Sequence, residues 1–76
     1  MPFMRSSALA IITLRRELAE RYERINRLWL LARTAYRRLN DAPVQNLNAL
    51  RDAAARLDQL ARGRAALLRD LKALSD

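Results

Sequence analysis

The chain has 76 residues, with no cysteine, no histidine, one glycine and two prolines, and a formal charge of +7. A chain of this length forms one domain at most and buries only about 60% of its unfolded surface. Disulfide bridges, thiolate zinc sites and histidine-based acid–base or metal chemistry are excluded. Of the usual staples of a small scaffold, oligomerisation remains.

Ala, Leu, Arg, Glu and Lys make up 47 of the 76 residues. These are strong helix formers, and one glycine and one valine leave little for strands. The expected class is all-α. The charge is uneven. Residues 1–39 hold nine Arg against three Glu, whereas residues 40–76 hold five Arg and one Lys against five Asp. Arg outnumbers Lys fourteen to one. Arginine's planar fork suits phosphate and carboxylate, and a base composition favouring Arg codons gives the same bias.

Ser6 or Ser7 can cap a first helix, and nothing breaks it before Asn40. The Asn40-Asp41-Ala42-Pro43 run then interrupts the pattern, because proline disfavours helix at the preceding residue and suits a first turn. Helix 1 is expected over about 6–40, a turn over about 40–44, and helix 2 over about 44–74. Asp41 is the expected cap of helix 2, with Asn46 or Asn48 the alternative in a longer loop. A short connection between two long helices predicts an antiparallel hairpin.

Apolar residues recur every seven positions. Ile11, Leu18, Ile25, Ala32 and Leu39 form one row of helix 1, with Leu14, Leu28 and Ala35 beside it. Leu50, Leu57 and Leu71 form a row of helix 2, with Ala53, Leu60, Leu67 and Leu74 beside it. Such seams predict coiled-coil-like packing. Glu17–Arg21, Glu20–Arg24, Glu23–Arg27, Asp52–Arg56 and Asp58–Arg62 are i,i+4 pairs in the favourable order, each contributing about 0.2–0.5 kcal/mol. Tyr22, Trp29 and Tyr36 form a third row. If facing residue numbers sum to about 83, Tyr36 meets Leu47, Trp29 meets Ala54 and Tyr22 meets Ala61, so rings face small residues.

Leu28-Trp29-Leu30-Leu31-Ala32 covers more than one helix face. With Ile12 it predicts a second buried surface, most simply on another copy, and two hairpins make a four-helix bundle. In architecture alone, this plan resembles the small RNA-binding plasmid-copy-control hairpin dimers. No motif of that family accompanies it, and no residue role carries over.

No glycine-rich loop, nucleophile–base pair or acidic metal cluster is legible. The chain is therefore expected not to be an enzyme and to need no cofactor or metal. Tyr22, Trp29, Leu30, Leu31 and Tyr36 are the candidate partner-binding residues, since Trp and Tyr are enriched in binding hot spots. The same three rings are read first as packing, with stacking on exposed bases the alternative, and as a partner hot spot where the row is exposed. Arg24, Arg27, Arg33, Arg37 and Arg38 form a candidate basic ridge for phosphate or acidic protein, or a solvated face with Arg37 and Arg38 favourably placed near a helix C-terminus. Arg21 and Arg64 interrupt the two seams at nearly one level. They are expected to snorkel outward on their stems, the alternative being a polar layer that sets register. Gly63 marks a bend or a close approach.

The function expected is a small helical regulator or adaptor, homodimeric, that binds and inhibits or chaperones a larger protein through an acidic surface or a helical groove. The alternative is a nucleic-acid-binding hairpin dimer using the helix 1 arginines. No membrane span is expected. The apolar run after Arg5 lacks a cleavage site and continues into the helix, so cytoplasmic localisation is the expectation.

Overall fold

A computed structural model describes the backbone over residues 2–75 and the side chains over residues 8–75. It has two helices, α1 (Pro2–Asp41) and α2 (Leu47–Ser75), with no strand among the described residues. They pack against each other along a rod of 66 × 16 × 14 Å. The helical hairpin expected from the sequence is therefore present. Helix is already formed at Ser6 and Ser7, so α1 starts earlier than expected. Whether either side chain caps it lies outside the described side chains.

α1 stops at Asp41, because Ala42 precedes Pro43 and is pushed out of the helical region. Gln45 Nε2 then donates to the Asn40 carbonyl at 2.9 Å, satisfying one of the acceptors a helix end leaves free. The expected start of α2 near residue 44, capped by Asp41, is corrected to Leu47, capped by Asn46. Asn46 Oδ1 accepts from Ala49 N–H at 3.1 Å, and its carbonyl accepts from Leu50 N–H at 2.9 Å. That pairing of side-chain and backbone bonds defines an N-cap. Pro43 stays in a five-residue loop, 42–46, instead of opening the helix.

The longer loop moves the register. Asn26 bonds to Arg64, Ile25 abuts Gly63, and Arg15 Nη2 donates to the Leu74 carbonyl at 2.6 Å. Facing numbers thus sum to 88–90, not 83, and the expected pairing of each ring with a small residue is replaced by another arrangement. α1 also has 40 residues against 29 in α2, so Leu9, Ile11 and Ile12 lie past the last turn of α2 and stay exposed.

The core is thin. Leu18 and Ala32 alone are buried among the described residues, at 8% and 9% exposure. Ile25, Trp29, Leu39, Leu57, Leu60, Leu67 and Leu71 are half-buried along the seam. Of the five charge pairs expected, Asp58–Arg62 closes, at 3.0 Å, and no other ion pair forms among the described residues. Gly63 marks a close approach within the hairpin. A Cβ there would stand 2.6 Å from Ile25 Cδ1.

Two outcomes follow from these contacts. Asn46→Ala should lower stability by about 1 kcal/mol in urea unfolding at fixed protein concentration, while Asp41→Ala stays within about 0.5 kcal/mol of the parent. Gly63→Ala should be nearly neutral, because a helix-propensity gain of about 1 kcal/mol is offset by displacing the Ile25 methyl. In an Ile25→Val background, which lacks that methyl, Gly63→Ala should stabilise by about 1 kcal/mol. Equal effects in both backgrounds would contradict the contact.

Candidate functional site

The most organised side-chain cluster lies where α2 presents Arg64 to α1. At helical spacing Tyr22, Asn26 and Trp29 stand on one stripe of α1, since they are four and three residues apart. Arg64 enters between them. Its guanidinium carbon lies 4.7 Å from the Trp29 ring centroid and 5.5 Å from that of Tyr22. Its Nε donates to Asn26 Oδ1 at 2.7 Å. The cation is thus held by two aromatic faces and oriented by one amide, both favourable for a partly desolvated arginine. Arg64 is half-buried, so the expected outward snorkelling is corrected for this residue. Arg21 is exposed. The two do not form a common layer.

A second guanidinium shares the indole. Arg33, one turn after Trp29, places its guanidinium carbon 5.5 Å from the same ring centroid. Arg33 is exposed. Neither arginine makes an ion pair among the described residues, and Asp58 is taken by Arg62. Two like charges are therefore gathered on one ring without a paired carboxylate.

The other candidate residues fall as follows. Tyr22, Trp29 and Tyr36 are half-buried. Leu30 and Leu31 are exposed, at 45% and 68%. Arg24, Arg27, Arg37 and Arg38 are exposed like Arg33, but they are not one ridge. At about 100° per residue, Arg24, Arg27 and Arg38 fall on one side of α1 and Arg33 and Arg37 on the other. On the first side Leu31 is the common wall of three shallow depressions. One adds Leu28, Ala32, Ala35, Ala53 and Arg56, another Arg24, Arg27 and Leu28, and the third Arg27, Leu30 and Thr34.

Asn26 escaped the sequence reading. Its signal was present: it is the lone asparagine within the body of α1, on the flank of the aromatic row. Arg15 was also missed as a tie between helices.

No family model matches the chain, and no curated protein or solved structure matches it. The functional reading therefore rests on the geometry above. No described helix is long and apolar enough to cross a membrane.

Arg64→Ala should cost about 2 kcal/mol in urea unfolding, through the lost cation–π contact and the unpaired Asn26 amide. Arg21→Ala should change stability by less than about 0.5 kcal/mol. A comparable loss from both would mean that Arg64 contributes only as a surface charge.

Proposed function

We propose that this chain is a protein-interaction module without catalytic activity, and that it self-associates through the Leu28–Leu31–Ala35–Ala53 flank. The carrying observation is the imbalance of apolar surface. Among the described residues two are buried, while ten large apolar side chains, including Leu14, Leu28, Leu30 and Leu31, are more than 40% exposed.

Area supports a second copy as the first occupant. The hairpin exposes 6442 Å², against about 4,800 Å² for a compact chain of this mass, an excess of roughly 1,600 Å². Two chains then have about 3,300 Å² to bury, within the obligate-homodimer range. The flank is also chemically suited to self-contact. Leu28, Leu31, Ala35 and Ala53 are apolar, small residues alternate with large ones, and the bordering Arg24, Arg27 and Arg56 can keep their heads in water.

The nucleic-acid alternative has less support. The helix 1 arginines divide between two sides, so they do not line one phosphate track. Tyr22 and Trp29 already hold guanidinium groups on their rings, which leaves less face for base stacking.

Light scattering at micromolar concentration should give twice the chain mass, and added salt should not weaken the dimer, because each copy carries +7. Leu31→Glu should yield a helical monomer, since Leu31 contributes little to the hairpin itself. Val44→Glu, in the loop, should leave the mass unchanged. A monomeric parent, or a dimeric Leu31→Glu variant, would overturn this reading.

A further inference from the structure

We infer that the Arg33–Trp29–Arg64 cluster is a binding site for a carboxylate side chain on an acidic protein segment. The inference rests on the interaction reading and names the chemistry of its partner. It does not depend on the dimer, because Asn26 and Arg33 stand roughly 140–160° around α1 from Leu31.

The cluster is built and incomplete. Arg64 is fixed in orientation by Tyr22, Trp29 and Asn26, with its Nε already donating to Asn26. Its two Nη groups make no hydrogen bond among the described residues. That end-on edge can take two oxygens side by side from a planar acceptor. Arg33 adds a second positive charge over the same indole. Like charges so placed repel, and a carboxylate arriving at Arg64 offsets that cost through its attraction to both. Preorganisation matters equally, because a clamped arginine loses less rotamer freedom on binding than a free one.

The surroundings favour protein over nucleic acid as the source of the anion. Leu30 lies one turn from Arg33, between the two sides of α1, and is 45% exposed. Ala61 lies one turn before Arg64 and is half-buried. An apolar border of this kind suits the side chains next to an Asp or Glu in a peptide, and offers nothing to a sugar–phosphate backbone.

Trp29 is the single tryptophan, so its emission reports on the site directly. The test titrates the full chain with a glutamate-rich peptide and, separately, with a length-matched single-stranded RNA oligonucleotide, at one low salt concentration. The peptide should give a saturable change in emission. Arg33→Ala should weaken peptide binding about fivefold, through loss of the second positive charge beside the site. Arg38→Ala removes the same charge about 180° from Trp29 and should change affinity by less than about twofold. Arg64→Lys keeps the charge but loses the planar fork, and should weaken binding about tenfold. If circular dichroism shows that this variant is not helical, the comparison of Arg33→Ala with Arg38→Ala decides. No saturable change with peptide, equal weakening by Arg33→Ala and Arg38→Ala, or tighter binding of RNA than of peptide would each overturn the proposal. Failure of dimerisation is read by light scattering and leaves this result untouched.

Discussion

Two helices lying side by side can cover one stripe of each other and no more. Everything else in this chain depends on that limit. A helix buries roughly a third of its circumference against one neighbour, and a core needs contacts from several sides. α1 is apolar over a wider arc than that around residues 28–32, so satisfying the hairpin leaves Leu28 and Leu31 uncovered. The seam residues themselves remain mostly half-buried, because no third element closes over them. A rod 14–16 Å thick has almost no interior in which to hide a side chain.

With so little core, the register must be held by contacts of another kind. Gly63 and Arg64 are adjacent and act in opposite senses. At Gly63 a missing side chain admits Ile25, and at Arg64 a long one fills the space between Tyr22 and Trp29. A hole beside a knob fits one alignment of the two helices. Sliding the pairing by a turn would put Arg64 against a different set of α1 residues and leave the Asn26 amide unpartnered, which costs free energy in a half-buried position. At the open end Arg15 ties itself to the last turn of α2, where carbonyls lack helical partners and a positive charge is favoured. At the closed end Asn46 and Gln45 fix the loop.

Helix positions and facing stripes were legible in the sequence because they follow from a seven-residue repeat and from the near-absence of glycine. The alignment of one helix on the other was not, for a physical reason. A heptad pattern looks almost the same after a shift of one heptad, so pairings summing to 83 and to 88–90 bury nearly the same leucine rows. Loop length is what separates them. Asp41 before Pro43 and Asn46 before Leu47 are both sound caps by residue type, and the choice between them moves α2 by several residues. The role of Arg64 was hidden by the same ambiguity. With Trp29 placed opposite Ala54, an arginine in the seam has no ring to rest on and reads as a defect. Nearly two turns further along, it becomes the best-held cation among the described residues. The candidate site was thus legible in its residue types, and its grouping was not.

The arrangement also separates two kinds of surface that would interfere if they coincided. Self-association across a flank carrying Arg33 and Arg64 would bring four guanidinium groups together without a paired acid, and like charges brought together at an interface are costly. The Leu31 flank has a broader apolar centre, with its arginines at the margin. A dimer formed there would leave one Arg33–Arg64 pair on each copy facing outward. Two such sites on the proposed dimer would favour a partner that carries acidic segments in pairs, since the second contact would form at high effective concentration once the first is made. Neither site need be tight alone. A small, highly charged chain would then gain selectivity from the spacing of its charges, and the excess of +7 would serve chiefly to bring acidic partners near.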